Sequence, residues 1–300
     1  MILCQQLTKN FDETKALDGI CVSIQKGSIY GLVGSNGAGK STLMRIIAGI
    51  LKQDDGSITV DGLPVWEDPD QKSRVFLVAD EPYFVPQATL DSMAAFYRRF
   101  YPDFDRDLYE RLCAAFALPR RKRIATFSKG MKRQAAFLLG MSVRPDYLML
   151  DECFDGLDPV KRQVVRKVIS DTVAEREMTV IISSHNLREL DEICDTVGIL
   201  HKGTLLYSKD LDDLKGEVHK LQAVFMKPVT EDDLKNTLNI MAMEQRGKFW
   251  TLIVRGDMDS ISETLAQFEP AAVEAYPLTL EEVFLYEMEV KGYDANVIFQ

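Results

Sequence analysis

Gly34-Ser35-Asn36-Gly37-Ala38-Gly39-Lys40-Ser41-Thr42 follows the spacing G-x-x-x-x-G-K-[S/T]. The run Ser28 to Val33 before it has strand character, and Leu43 to Ala48 after it continues as a helix. A glycine-rich turn between strand and helix lets backbone N–H groups curl around phosphates, and the helix start adds partial positive charge. Lys40 is placed to reach the outer phosphates, and Ser41 to offer its hydroxyl to Mg²⁺. The stretch therefore predicts an α/β chain that holds a nucleoside triphosphate with magnesium.

A second landmark is Tyr147-Leu148-Met149-Leu150-Asp151-Glu152, four large apolar residues followed by two carboxylates. It reads as a buried parallel strand, and open α/β sheets bind ligands at the carboxyl ends of such strands. Adjacent strand residues point to opposite sides, so the two acids are expected to divide the work. Asp151 is expected to hold Mg²⁺, through water, and Glu152 to polarise the water that attacks the γ-phosphate. A third apolar strand, Thr179 to Ile182, ends in Ser183-Ser184-His185. His185 at that end either caps a surface turn or contacts the γ-phosphate and senses its loss.

Composition narrows the class. The chain has 300 residues, is 46% hydrophobic and carries a formal net charge of −10, enough for a large core or two modest ones. From Glu217 onward there are 15 acidic and 7 basic residues, a net of −8, which leaves −2 for the longer N-terminal part. That balance argues against a nucleic-acid footprint. Apolar stretches fall short of a membrane span, and Met1-Ile2-Leu3-Cys4 runs into Gln5-Gln6 without a signal pattern. Cys4, Cys21, Cys113, Cys153 and Cys194 lack C-x-x-C spacing, which argues against a zinc site or a disulfide frame and for the cytoplasm.

Together these residues resemble the ATP-binding subunits of ABC transporters. Gly34 to Thr42 is similar to their Walker A motif, the run ending at Asp151-Glu152 to Walker B, His185 to the H-loop histidine and Gly156-Leu157-Asp158-Pro159 to the D-loop. Phe127-Ser128-Lys129-Gly130-Met131 resembles the signature usually written L-S-G-G-Q, with Lys129 in place of its first glycine. Order and spacing match over roughly residues 1 to 215. The resemblance implies a P-loop NTPase core of the ABC type with an antiparallel β subdomain and a helical subdomain, and an ATP hydrolase requiring Mg²⁺. It further implies a homodimer, or a pair with a homologous ATPase subunit, closed head to tail around two ATP. Ser128 and Gly130 of one copy would then meet nucleotide held by Gly34 to Thr42 of the other. Phe11 occupies the place of the aromatic that stacks on adenine. Asp80, beside Glu81, stands where the family normally has the Q-loop glutamine; it is expected to meet Mg²⁺ through water but cannot donate a hydrogen bond as an amide does. Cys153-Phe154-Asp155 replaces the common Pro-Thr-Ser.

The implied partner is an integral membrane permease, which would hold the chain at the inner face of the cell membrane and choose the cargo. The small C-terminal domain is similar to that of ABC-2 type exporter subunits. A soluble ABC-type ATPase acting on a cytosolic assembly is the alternative, but its ribosome-acting members carry two cassettes and its DNA-organising ones a long coiled coil. A non-hydrolytic ATP sensor would have no use for Glu152 and His185.

Along the chain, an ATPase domain is expected over 1–216. It opens with strands around Gly19–Ile24 and Gly56–Gly62, carries a helical subdomain over about 85–145 (helices 90–101, 106–116 and 129–139), and closes with a hairpin across His201-Lys202-Gly203. Arg120-Arg121-Lys122-Arg123 reads as a solvated loop. Residues 217–300 read β-α-β-β-α-β, the order of a ferredoxin-like α+β domain. Ser260 with Glu263 and Thr279 with Glu282 have capping-box spacing and predict helix starts.

Overall fold

A computed structural model describes residues 1–290, apart from the side chains of 215 and 287–290; the chain divides into two compact units, Met1–Ser208 and one starting at Lys209. Residues 291–300 of the expected C-terminal domain lie outside the described residues.

In the first unit, β1 (Ile2–Phe11) and β2 (Thr14–Ile24) form an antiparallel pair, followed by β3 (Ile29–Val33), α1 (Lys40–Ile47) and β4 (Asp55–Val60). Next come α2 (Pro69–Ser73), β5 (Val75–Val78), α3 (Leu90–Tyr97), α4 (Arg106–Ala115), α5 (Lys129–Ser142) and β6 (Tyr147–Asp151). The unit continues through α6 (Pro159–Arg176), β7 (Thr179–Ser184), α7 (Leu187–Asp191), β8 (Thr196–His201) and the start of β9 (Thr204–Asp210). Six strands form one sheet in the order β5-β6-β7-β3-β8-β9, with β5 to β8 parallel. Every residue of β3, β6 and β7 is buried, so these strands read as unbroken apolar runs because both faces are covered. β3 lies between β7 and β8, which puts the turn after Val33 beside the ends of β7 and, one strand further, β6.

The antiparallel sheet β2-β1-β4 packs into the same core: Ile2, Leu7, Leu17 and Val60 join Leu32, Met44, Met149 and Leu200. A polar fastening links its edge to the parallel sheet. Asp61, just after β4, accepts from Tyr147 Oη at 2.6 Å, Arg74 Nη2 at 2.6 Å and the Met1 ammonium at 2.5 Å, while Arg74 Nε donates to Asp146 at 2.7 Å.

Three helices, α3 to α5, occupy the span expected to be helical. Thr89 and Ser92 form a capping box that starts α3. The helix ends at Tyr97, short of the expected Tyr101; the chain turns there so that Tyr97 and Tyr101 set their rings edge-on to Phe76, 5.5 and 5.7 Å between centroids.

The second unit holds α8 (Leu211–Glu217), β10 (Val218–Phe225), α9 (Glu231–Thr237), β11 (Ile240–Arg246), β12 (Phe249–Arg255), α10 (Met258–Ala266), β13 (Pro270–Tyr276) and α11 (Leu280–Val290). Its strands run β11-β12-β10-β13, all neighbours antiparallel, the arrangement of split β-α-β units. Leu221, Ala223, Trp250, Leu252 and Val254 face Leu234, Ile261 and Leu265 of α9 and α10. The division at Ser208 comes before the expected 216, and α8 falls in the second unit. One capping assignment is corrected: α10 starts at Met258, with Asp257 accepting from Ser260 N at 3.0 Å, so Ser260 is already inside the helix. Asp257 outcompetes Ser260 because a charged carboxylate is the stronger acceptor for the helix-end N–H groups. At α11 the expected box forms, Thr279 N to Glu282 Oε2 at 3.0 Å and Glu282 N to Thr279 Oγ1 at 3.2 Å.

Candidate nucleotide site

The turn after β3 is shaped by its own packing. A methyl group on Gly34 would stand 2.2 Å from the Leu200 carbonyl oxygen, so β8 crowds the loop until only glycine fits. Gly39, at φ +108°, meets the Ala16 carbonyl in the same way, at 2.5 Å. Gly39 also begins α1 without any side-chain cap, leaving first-turn N–H groups available to an anion.

A cavity of about 420 Å³ opens over this turn, lined by Ser35 to Thr42, Thr14, Lys15, Ala16, Asp80, Glu152 and Lys202. A larger cavity of about 620 Å³ lies among Pro102 to Asp107, Arg144 and Arg176 and contains none of the expected site residues.

Lys40 is buried, its Nζ donating to the carbonyls of Gly34 at 2.5 Å and Ser35 at 3.2 Å. Its third neighbour is Glu152, with Nζ to Oε1 at 3.4 Å. The other Glu152 oxygen lies 3.0 Å from His185 Nδ1. Lys40, Glu152 and His185, far apart in sequence, thus form one chain of contacts across the ends of β3, β6 and β7.

The two acids of β6 part company through backbone conformation. Asp151 ends the strand, buried, and accepts from Ser183 Oγ at 2.6 Å. Glu152 takes a left-handed φ of 48°, pinned by its N–H to Ser183 Oγ at 3.0 Å, and this turn swings its side chain towards Lys40. The two side chains part because the strand ends between them, and strand alternation plays no part in it.

Ser41 lines the cavity and offers the kind of hard oxygen donor that magnesium takes, whereas Asp151, buried and bonded to Ser183, is not among the lining residues. Asp80 also reaches the cavity wall, but its carboxylate is ion-paired with Arg133 of α5. A different trio, Glu152, Asp155 and His185, has ligand atoms within 4.8 Å of one another.

Phe11 ends β1, 44% exposed, with the Lys9 ammonium 5.6 Å from its ring centre; it is not among the cavity-lining residues. Ser128 is the N-cap of α5, accepting from Met131 N at 3.2 Å, and Gly130 packs against the Gly156 carbonyl, which a methyl group would approach to 2.9 Å. Neither lines the cavity of its own chain.

Lys15, Lys202 and Arg133 escaped sequence reading. Lys202 sits at the β8–β9 hairpin with φ 45°, held by Gly203 N to Ala38 O at 3.0 Å and Asp18 N to Gly203 O at 2.8 Å. Among the described residues, nothing pairs with its ammonium. The signal that could have found it was the hairpin itself, once β8 was placed next to β3.

No helix among the described residues is long and apolar enough to cross a membrane. The ABC transporter family model matches residues 17–155. The ABC transporter ATP-binding protein YtrB of Bacillus subtilis (strain 168) is 33% identical over 285 residues, covering 95% of this chain and 97% of its own. The bacitracin transport ATP-binding protein BcrA of Bacillus licheniformis is 30% identical over 218 residues, 72% of this chain and 71% of its own. Among solved structures, an ATP-binding subunit of an ABC transporter superposes with a TM-score of 0.65 at 25% identity, over 72% of this chain and 92% of its own. With a relative 33% identical matched along 95% of this chain, the chain belongs to the ABC transporter ATP-binding proteins and is an ATP-hydrolysing subunit of that family.

Proposed function

We propose that this ATPase drives a separate membrane permease by closing and reopening a dimer around two ATP·Mg²⁺. The observation that supports it most is the Lys40–Glu152–His185 line at the cavity floor, which puts a cation for phosphate and a base for water a few ångströms apart. On entry of ATP, Lys40 exchanges the Gly34 and Ser35 carbonyls for β- and γ-phosphate oxygens, and the first-turn N–H groups of α1 take the rest of the anion. Glu152 accepts a proton from the attacking water. His185, in contact with the far oxygen of Glu152, fixes that carboxylate and reports on the γ-phosphate. Phe11 stacks on the adenine.

Magnesium would be held by the Ser41 hydroxyl, with Asp151 acting on it through water, and would spread the charge of the phosphate oxygens during transfer. Asp80 fits that role poorly, because Arg133 already holds its carboxylate.

The tip of α5, with Ser128 and Gly130, lies away from the cavity of its own chain and is assigned to the nucleotide of a second copy. Triphosphate joins the two copies; loss of the γ-phosphate releases them. The helical span 85–145 is the part assigned to the permease, and the chain works at the inner face of the membrane. BcrA is named for bacitracin transport, which supports a transport role, and export is the proposed direction.

The test is the Glu152→Gln variant saturated with ATP and magnesium. It is expected to run as a dimer in light scattering and to return to monomer in ADP; a monomer in both overturns the dimer reading. Expressed with its permease, the chain should copurify with membranes, and recovery wholly in the soluble fraction would refute the transport role. Lys40→Ala should weaken ATP binding about tenfold or more, since charge-assisted bonds to phosphate are among the strongest available.

A further inference from the structure

Arg133, one turn into α5, is buried and holds two separate loops at once. Its Nη2 pairs with the Asp80 carboxylate and its Nε donates to the Asp80 carbonyl at 3.4 Å. Its Nη1 donates to the Asp155 carbonyl at 2.7 Å and lies 3.6 Å from that residue's carboxylate. Asp80 follows β5 and lines the nucleotide cavity. Asp155 closes the turn that Glu152 opens, with its N–H on the Glu152 carbonyl at 3.3 Å. The next residue, Gly156, takes φ +71° and carries the carbonyl against which Gly130 is packed.

A planar guanidinium with five donors in fixed directions can hold two loops at a set angle, which a single ammonium cannot. The charge is also fully used: a buried cation without carboxylate partners is costly, and here two carboxylates reach it. The turn it holds is strained in the right place, since Glu152 has a left-handed backbone that neighbouring contacts must maintain.

We propose that Arg133 is a positioning residue for hydrolysis, tying the Glu152–Gly156 turn and the Asp80 segment to the first turn of α5. A shift of the Ser128 tip, where the second copy's nucleotide would bind, is thereby carried to the general base of the same chain's own cavity. Asp80 serves as the anchor of that tie. The inference rests on Glu152 being the proton acceptor.

The test is steady-state hydrolysis and nucleotide binding by the full chain carrying Arg133→Lys, Arg133→Gln or Asp80→Asn, with thermal unfolding as a check on folding. Misplacing a reacting group by about an ångström costs on the order of a hundredfold in rate, so kcat is expected to fall about tenfold to a hundredfold in all three. KM and ATP affinity should stay within about twofold, the signature of a loss confined to the transition state. The magnesium concentration for half-maximal activity should not move in Asp80→Asn. An unchanged kcat, or a loss carried by KM, overturns the inference, as does an Asp80→Asn variant whose only defect is a raised magnesium requirement. Should Arg133→Gln fail to fold, the charge-reversed pair Asp80→Arg with Arg133→Asp decides: recovery of kcat above either single variant supports the tie, and none refutes it. Wild-type turnover in Glu152→Gln would instead show that the underlying reading of the site has failed.

Discussion

Glu152 Oε1 stands 3.4 Å from Lys40 Nζ, so the residue assigned to water and the residue assigned to phosphate touch each other. Both side chains are largely buried, 13% and 6% exposed, which makes the contact a restraint on both. The ammonium has two carbonyls and a carboxylate around it, an arrangement of oxygens that phosphate oxygens can replace.

Glu152→Gln keeps the size and removes the proton-accepting charge. Turnover should fall about 10² to 10⁴-fold, the usual worth of a positioned base, while ATP affinity is retained or tightened. A phosphate-release assay beside an equilibrium titration measures both. Parental turnover would remove Glu152 from the chemistry.

Lys202→Ala tests the cation that sequence reading missed. The hairpin that carries it is bonded to Ala38 of the phosphate turn and to Asp18 of β2. The charge is therefore expected to act on phosphates common to ATP and ADP, weakening both about threefold to tenfold, as a partly exposed ionic contact does. Calorimetric titration with each nucleotide checks it, and a loss confined to ATP would place the ammonium at the γ-phosphate end.

The cradle, the strand-end acids and His185 were legible because each lies where an apolar run stops, and a run of buried residues announces itself in sequence. The tie through Arg133 was not, since it joins residues 80, 133 and 155 that no periodicity connects. Nor could sequence separate the two uses of Gly130: the motif spoke for phosphate, and the fold adds close packing on Gly156. The start of α10 was misread for a local reason, two nearby candidates for the cap of which the charged one prevailed. The spacing places Gly34 in a turn that curls around phosphates, and its closest demand comes from the Leu200 carbonyl.

That crowding gives a prediction of its own. Gly34→Ala would place a methyl group 2.2 Å from backbone oxygen, which no rotamer change relieves. The loop or β8 must move, costing about 1 to 3 kcal/mol as overpacked sites do. Denaturant unfolding should show that loss together with weakened ATP binding; an unchanged midpoint would mean the loop is free to shift.

Asp61 supplies a prediction in pH. Burial opposes its ionisation, yet hydrogen bonds from the Met1 ammonium, Tyr147 and Arg74 outweigh that and hold the carboxyl well below its ordinary 3.8. A depressed folded-state value means the unfolded chain binds the proton more readily, so the group's contribution is complete above the unfolded value and is lost as pH falls through the folded one. Asp61→Asn should accordingly be less stable than the parent at pH 7, and the gap should hold down to about pH 5 and then close towards pH 2, as the linkage of this carboxylate requires. Urea midpoints across that range measure it. A gap that stays constant into strong acid would mean that the substituted amide fails for reasons of shape, and that the fastening of β4 to β6 does not depend on the charge.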